Sequence, residues 1–215
     1  MNDYLSWEHS FLADNGNQAK LIAGVDEVGR GALLGSVVAA ALVLPLAAIP
    51  ELLEAGVKDS KKLSAKKRQQ LVSQIQSKAL AWQVSEATVV EIDELNILQA
   101  SLLAMKRSIL ALQPSPEICL IDGNFPVPNL AIPQETIIKG DQKSTAIAAA
   151  SILAKVWRDE LIVSLAEQYP EYDLKKNKGY PTPKHLSALE IHGISQLHRK
   201  SFAPCKKLLA KDKLN

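Results

Sequence analysis

The stretch Leu21-Ile22-Ala23-Gly24-Val25-Asp26-Glu27-Val28-Gly29-Arg30-Gly31 places two adjacent acids and a glycine-flanked arginine at the end of an apolar run. The apolar part predicts a buried β-strand over residues 21–26. Partial burial of two neighbouring carboxylates is costly unless a cation or hydrogen bonds offset it, and a divalent metal ion would do so. The two glycines let the backbone approach a ligand closely, and the Arg30 guanidinium offers donors that suit phosphate. The stretch therefore favours a metal and phosphate site, although an isolated acid pair after a strand more often caps a turn.

Two later segments repeat this pattern of an apolar run that ends in an acid beside a glycine. Residues 118–123 contain Asp122, and residues 136–141 end in Asp141. If the three runs pair in one sheet, four carboxylates share a small volume and repel each other strongly without metal. They belong to Asp26, Glu27, Asp122 and Asp141. Oxygen ligands of this kind suit two Mg²⁺ or Mn²⁺ ions in the manner of nucleases.

Composition narrows the class of protein only slightly. The 215 residues suit one compact domain with a small helical appendage. A formal net charge of +2 is too small to indicate a polyanion partner by itself. Basic residues cluster at 58–68 and 175–178, but such clusters are usually solvated faces and need other support. Neither Cys119 nor Cys205 belongs to a metal-ligand spacing, which favours a reducing compartment.

The chain shows no pattern typical of secretion or membrane insertion. Residues 1–20 lack the basic and apolar regions of a signal peptide. The apolar run 31–50 is interrupted by Gly35, Ser36, Pro45 and Pro50, and therefore predicts a buried strand and a turn. We expect a cytoplasmic, monomeric protein with no membrane partner.

The periodicity predicts strands that alternate with helices, which indicates an α/β domain with a mixed sheet and a helical C-terminal part. Strands are predicted over 21–26, 36–44, 81–86, 118–122 and 136–138. Helices are predicted over 64–78, from 88, over 97–112, 143–168 and 182–193, and from 203. Lys66, Lys67 and Arg68 fall in the first turn of the helix after Ser64, where the helix dipole favours acids. This conflict fits either a phosphate site or a solvated helix start.

Six motifs in this order resemble bacterial ribonuclease HII. They are Asp26-Glu27-Val28-Gly29-Arg30-Gly31, Asp59-Ser60-Lys61-Lys62-Leu63-Ser64, Ile121-Asp122-Gly123-Asn124, Lys139-Gly140-Asp141, Ala149-Ala150-Ser151-Ile152-Leu153-Ala154-Lys155 and His198-Arg199-Lys200-Ser201-Phe202. The resemblance covers residues 21–209 and implies a ribonuclease H-like fold with a central mixed β-sheet flanked by helices and a helical C-terminal subdomain. We accordingly expect an N-terminal extension at 1–20, a catalytic core at 21–170, and a C-terminal part at 171–215 that completes the substrate site.

The resemblance also implies the chemistry. The four acids Asp26, Glu27, Asp122 and Asp141 are expected to be catalytic and to bind two divalent ions, Mn²⁺ or Mg²⁺. The implied substrates are RNA–DNA hybrids and duplex DNA that contains ribonucleotides, cleaved on the 5′ side of the ribonucleotide to leave 3′-OH and 5′-phosphate ends. The implied biological role is removal of misincorporated ribonucleotides and RNA primers.

Further residues are expected to bind the substrate. The resemblance implies that Gly29, Arg30 and Gly31 contact the ribonucleotide 2′-OH at an RNA–DNA junction. It implies that Tyr180, in Lys-Gly-Tyr, packs against that sugar; without the family, it would be read as a residue at a helix entry. Lys61 and Lys62 are expected to contact phosphates.

Several neighbouring residues receive weaker interpretations. We interpret His185, His192 and His198 as helix or turn residues, with His198 and Arg199 near the phosphate backbone. Lys155 and Arg158 could order the acids or face solvent, and we favour a structural role. Ala32 and Ser36 stand where the family commonly has proline, which relaxes the loop without removing a ligand or donor.

Three alternatives compete with this hypothesis. Ribonuclease HIII shares the core but carries a long N-terminal extension, whereas only residues 1–20 precede Leu21 here. A nucleic-acid-binding module with one structural ion requires fewer acids, and empty acids would repel DNA. A two-metal phosphomonoesterase would be expected to use a closed small-molecule pocket. Activity on a duplex with one embedded ribonucleotide distinguishes the nuclease from the binding module and from the phosphomonoesterase.

Overall fold

A five-stranded mixed sheet forms the centre of the protein in the computed structural model, which describes residues 8, 21–58 and 60–212. Asp59 and the side chains of Lys61 and Asp212 lie outside this description. The strands are β1 (Ile22–Val28), β2 (Val37–Leu44), β3 (Ala81–Ala87), β4 (Ile118–Asp122) and β5 (Gln134–Ile137), in the order β3-β2-β1-β4-β5. Strand β1 pairs antiparallel with β2 and parallel with β4, and β5 runs parallel to β4. The carboxyl ends of β1, β4 and β5 therefore lie at one edge, and the predicted α/β class is confirmed.

Helices lie between and after the strands, as the periodicity predicts. Those of the described residues are α1 (Ile49–Ala55), α2 (Ala65–Lys78), α3 (Val89–Leu95), α4 (Ile97–Leu110), α5 (Thr145–Leu165), α6 (Leu174–Asn177), α7 (Pro183–His192) and α8 (Ala203–Asp212). The predicted helix starts at 64, 88 and 182 are confirmed, because the side chains of Ser64, Thr88 and Thr182 each accept a backbone amide in the first turn of their helix.

Helix α1 was not predicted, because residues 31–50 were assigned to a strand and a turn. Pro50 lies in the first turn of α1, where its missing N–H would have no helical acceptor. Gly56 ends the helix with a φ of 96°, a conformation that glycine adopts readily. An isolated proline thus marks a helix start here.

Apolar layers cover both faces of the sheet. Val37 and Ala39 of β2 enter the layer that contains α4, and Val38 and Ala40 enter the layer that contains α2 and α5. Alternate residues separate in this way because successive side chains of a strand point to opposite faces. The acids at the strand ends therefore border a sheet that is buried on both sides.

Helix α5 packs directly against β1. A Cβ on Gly24 would lie 2.1 Å from the carbonyl carbon of Ala146 and 2.5 Å from the backbone nitrogen of Ile147. The first half of α5, up to Ser151, is buried and consists mostly of small residues, which permits this approach. The contact places the start of α5 beside the first half of β1, and Ser151, further along the helix, then reaches Asp26 near the carboxyl end of the strand.

The helical C-terminal part packs on the loop that follows β1. Leu33 and Leu34 of this loop and Ile162 of α5 share an apolar cluster with Leu174 and Leu189. The proposed division of the chain at residue 170 stays a prediction. In the described part of the chain, no helix is both long and apolar enough to cross a membrane.

We expect Gly24→Ala to lower the free energy of unfolding by about 1–3 kcal/mol or more, because backbone atoms of α5 occupy the space that the methyl group needs. Urea denaturation followed by circular dichroism measures the change. Gly31→Ala is the matched control, since the nearest atom to its Cβ position lies 3.9 Å away, and a change below about 1 kcal/mol is expected. Equal stability of the Gly24→Ala and wild-type proteins would contradict the close approach of α5 to β1.

Candidate active site

Three of the four predicted acids face one cleft at the carboxyl edge of the sheet. Asp26 and Glu27 lie near the end of β1, and Asp122 ends the adjacent parallel strand β4. The cleft has a volume of about 410 Å³. Its other lining residues are Val28, Ser60, Arg68, Ser151, Lys155 and Tyr180.

The acids of this cleft are electrostatically strained. Burial and the negative charges of Glu27 and Asp122 raise the pKa of Asp26 well above its ordinary value. Hydrogen bonds from Ser151 and the Glu27 amide lower this pKa but do not cancel the increase. Burial also raises the pKa of Glu27, while Arg30, whose Nη1 lies 3.1 Å from Glu27 Oε1, opposes this effect. A bound cation would relieve both the burial and the repulsion of the charged carboxylates.

Asp141 lies beside this group rather than in the cleft. It belongs to the turn Gly140–Gln142 after β5, and the Gly140 amide donates to Asp122 Oδ1 at 2.6 Å. The Asp141 side chain is buried and lines a separate, narrow pocket with Ser144 and Thr145. The structure therefore gathers Asp26, Glu27 and Asp122, and ties Asp141 to them through its neighbour Gly140.

The donor set of the cleft fits Mg²⁺ or Mn²⁺. In the described residues, no three histidine, cysteine or acid side chains form a ready cage for a metal ion. Mg²⁺ seldom uses such a cage, since it keeps several waters and binds one or two carboxylates together with substrate phosphates. Carboxylates with raised pKa values that open onto a shared cleft meet that requirement.

Two fully buried arginines hold the loop after β1 by its backbone carbonyls. Arg158 donates to the carbonyls of Leu34, Ser36 and Lys178 at 3.0, 3.1 and 3.0 Å, and Arg199 donates to those of Arg30 and Gly35 at 2.9 Å each. Burial and the charge of Arg158 lower the pKa of Arg199 to about 9. The structural role favoured for Arg158 is confirmed. The expected position of His198 and Arg199 near the phosphate backbone is wrong, because both side chains are buried in the protein.

The loop after β1, residues 29–36, begins with Gly29-Arg30-Gly31 and is called the glycine-arginine loop below. It meets Tyr180 at the cleft. Gly29 has a φ of 92°, and a Cβ there would lie 2.1 Å from Arg158 Nε, so the turn requires glycine. A Cβ on Gly31 would lie 3.9 Å from Cε1 of the Tyr180 ring. Lys155 Nζ lies 5.7 Å from the centroid of the same ring. The side chain of Arg30 is 49% exposed and pairs with Glu27.

Ser60, Arg68 and Ser151 also line the cleft. No role was predicted for either serine, and Arg68 was predicted only as part of a basic helix start that fits a phosphate site or a solvated helix start. Ser151 hydrogen-bonds to Asp26, and its Oγ lies 2.7 Å from Ser60 Oγ. Arg68 Nη1 donates to the carbonyls of Ser60 and Leu63 at 2.9 and 2.6 Å. Arg68 is therefore a cation in the first turn of α2 that orders the preceding turn. The sequence signal that could have identified Ser151 is its position as a polar residue directly after a run of alanines.

The lysines of that turn are only partly described. Lys62 is exposed on the turn Ser60–Lys62, which contributes Ser60 to the cleft. The side chain of Lys61 lies outside the described residues. Their contact with phosphate stays a prediction.

The fold and the acid-lined cleft define a nuclease of the ribonuclease H-like class, and comparisons with known proteins identify its family. The family model for ribonuclease HII matches residues 23–205. A ribonuclease HII from a Nostoc species is 60% identical over 193 residues, which cover 90% of this chain and 86% of the relative. A ribonuclease HII from Trichormus variabilis is 58% identical over the same shares of both chains. The crystal structure of ribonuclease H2 from Pyrococcus horikoshii superimposes with a TM-score of 0.79 at 28% identity, over 91% of this chain and 100% of that one.

The chain belongs to the ribonuclease HII family. It is therefore a ribonuclease H, an endonuclease that acts on RNA–DNA hybrids. Membership excludes the binding-module and phosphomonoesterase alternatives, and it supports ribonuclease HII over ribonuclease HIII.

We expect Asp26→Asn to raise the free energy of unfolding of the metal-free protein at pH 7.5. The substitution removes a buried charge that lies beside Glu27 and Asp122. Because the folded-state pKa is raised, the charged carboxylate destabilises the fold above that pKa, and this effect fades as the pH falls toward about 4, the ordinary pKa of aspartate. The gain in stability should thus be largest at neutral pH and shrink on acidification.

Urea unfolding in the presence of a chelator, between pH 7.5 and pH 4.5, measures this gain. Glu54→Gln, at an exposed position of α1, is the control and should leave stability nearly unchanged at both pH values. A gain from Asp26→Asn that did not depend on pH would contradict the raised pKa.

Proposed function

We propose that this enzyme, besides cutting the RNA strand of RNA–DNA hybrids, hydrolyses the phosphodiester on the 5′ side of a ribonucleotide embedded in duplex DNA. The products carry 3′-OH and 5′-phosphate ends, and the role is removal of misincorporated ribonucleotides and RNA primers. One observation carries the proposal: the acids of β1 and β4 and the ring of Tyr180, next to Gly31, line the same cleft. The 2′-OH is the group that distinguishes a ribonucleotide in a DNA strand, so the reading element must lie beside the reacting phosphate.

The proposed cofactor is a pair of divalent ions, Mg²⁺ or Mn²⁺, held by Asp26, Glu27 and Asp122, with Asp141 on the adjoining turn. When bound, the ions would activate the attacking water and neutralise the charge that develops on the leaving O3′. The protein orients the ligands in advance: the Glu27 amide donates to Asp26 Oδ1 at 2.7 Å, and the Gly140 amide donates to Asp122 Oδ1 at 2.6 Å. Such pre-orientation reduces the reorganisation that ion binding and reaction require.

Cations around the cleft supply the proposed contacts to phosphate. Arg68 and Lys155 line the cleft, and the half-exposed Arg30 lies at the end of β1. Lys155 also pairs with Asp159 at 2.6 Å, which fixes its position. These groups would bind phosphates next to the scissile bond, and Lys61 and Lys62 would extend the contact along the strand.

We expect Asp122→Asn to lower the turnover of an RNA–DNA hybrid by orders of magnitude at saturating Mg²⁺, because the change removes a metal-binding charge with little change of shape. Single-turnover cleavage of a labelled hybrid measures the effect. Asp93→Asn is the control, because Asp93 accepts hydrogen bonds from the amides of Lys200 and Ser201 instead of lining the cleft, and most activity should remain. A wild-type rate for Asp122→Asn would refute the proposed metal site.

We expect Tyr180→Ala to reduce kcat/KM for a single embedded ribonucleotide by about tenfold or more, an effect of the size that one aromatic contact provides. Affinity for plain duplex DNA should change far less, and metal binding should be intact. Tyr180→Phe keeps the ring face and serves as the control. Equal losses of cleavage and of DNA affinity, or no loss in either, would remove Tyr180 from the recognition site.

A further inference from the structure

Two fully buried histidines connect the backbone of Tyr180 to the segment between α7 and α8. His185 Nδ1 lies 2.9 Å from the carbonyl oxygen of Tyr180. His185 Nε2 lies 3.1 Å from Nε2 of His198. The backbone amide of Ser195 donates to His198 Nδ1 at 2.9 Å. The proposed function gives no role to this chain of hydrogen bonds.

The backbone groups at the two ends of this hydrogen-bond chain determine which nitrogen of each histidine ring carries the proton. The Ser195 amide can only donate, so His198 Nδ1 accepts and the neutral ring carries its proton on Nε2. The Tyr180 carbonyl can only accept, so His185 carries a proton on Nδ1 and its Nε2 is free to accept. The two assignments are independent, and they agree at the central bond, where His198 Nε2–H donates to His185 Nε2.

Burial supports two neutral rings. It lowers the pKa of both histidines, that of His198 to about 4 with a further contribution from His185. Tyr172 packs edge-on against the His198 ring, with 4.7 Å between centroids, and lies tilted against the His185 ring at 5.7 Å. A second proton on either ring would place two donors at the central bond or displace an amide donor.

The same segment also holds the glycine-arginine loop, so the hydrogen bonds close a circuit. The Arg199 amide donates to the Leu33 carbonyl at 2.9 Å, and the Leu33 amide donates to the Gly179 carbonyl at 2.8 Å. Gly179 precedes Tyr180, and His198 precedes Arg199. The loop, the tyrosine and the histidine pair therefore form one hydrogen-bonded unit.

We propose that His185 and His198 are positioning residues for ribonucleotide recognition, because their hydrogen-bonded pair sets the backbone of Tyr180 and so holds its ring beside Gly31 in the cleft. The inference rests on the proposed role of Tyr180 in reading the sugar. Both histidines act through Tyr180 and do not touch the substrate. The Thr182 amide also donates to the Tyr180 carbonyl, at 2.8 Å, so loss of the His185 bond loosens the tyrosine without releasing it.

Two substitutions of His185 distinguish the contributions of its two ring nitrogens. His185→Asn places an amide nitrogen where Nδ1 was and keeps a donor for the Tyr180 carbonyl. His185→Gln places its amide group near Nε2, keeps a partner for His198, and leaves the carbonyl without this donor. We expect His185→Gln to lower the ratio of kcat/KM for an embedded ribonucleotide to kcat/KM for a continuous hybrid by about three- to tenfold, the effect of one hydrogen bond. His185→Asn keeps the donor to Tyr180 but loses the bond to His198, so it should lower the ratio less than His185→Gln does.

The double variant His185→Gln/Tyr180→Ala tests whether the effect passes through the tyrosine. If it does, the ratio for the double variant equals that for Tyr180→Ala alone, because the two losses are not additive. Additive losses, or equal ratios for His185→Gln and His185→Asn, would overturn the positioning role. If Tyr180→Ala changes the ratio and His185→Gln does not, this inference fails and the proposed function stands. If Tyr180→Ala leaves the ratio unchanged, this inference fails together with the recognition role proposed for Tyr180.

A measurement on the wild-type protein covers the case in which the variants do not fold. Long-range ¹H–¹⁵N correlation spectra at pH 7 identify the protonated ring nitrogens of the histidines. The proposal requires Nδ1–H on His185 and Nε2–H on His198. The opposite tautomer of either ring, or a positively charged ring, would overturn it.

Discussion

The backbone of α5 meets the backbone of β1 at Gly24, and the rest of the site depends on this contact. A Cβ at this position would lie 2.1 Å from the carbonyl carbon of Ala146, so the strand admits only glycine here. Asp26 lies two residues further on and points to the same face of the strand, because strand side chains alternate. The close approach therefore brings α5 within hydrogen-bonding reach of the acid, and Ser151 is the partner.

The same helix sets the position of the other groups of the cleft. Ser151, Lys155 and Arg158 follow each other at intervals of four and three residues, which places them on one face of α5. Ser151 hydrogen-bonds to Asp26, Lys155 lies 5.7 Å from the ring centroid of Tyr180, and Arg158 donates to the loop after β1. A rigid helix thus determines the separation between the acids that are proposed to bind metal and the tyrosine that is proposed to read the sugar.

Local patterns in the sequence predicted the elements that carry the acids, because an apolar run that ends in charge is visible without any tertiary information. Asp26 and Asp122 were placed together correctly for that reason. The separate pocket of Asp141 depends on the turn after β5, where Lys139 adopts a φ of 57° that no local pattern indicates. The burial of Arg199 was also missed: its acceptors Gly35 and Arg30 are 164 and 169 residues away in the chain. A basic motif therefore resembled a phosphate contact although it holds a loop.

In the proposed mechanism, different groups hydrolyse the phosphodiester and distinguish RNA from DNA. The buried guanidinium groups of Arg158 and Arg199 donate hydrogen bonds to backbone carbonyls of the loop after β1. Burial of these two charges is tolerable because each group is hydrogen-bonded. A carboxylate site that binds divalent ions has no means of telling RNA from DNA, since both strands present the same phosphodiester. Discrimination must then come from groups that contact the sugar, and this is the role proposed for the loop and Tyr180. Because their geometry depends on residues 177–199, a nuclease core without the helical C-terminal part would keep the acids of β1 and β4 and would lack both Tyr180 and the residues that hold it.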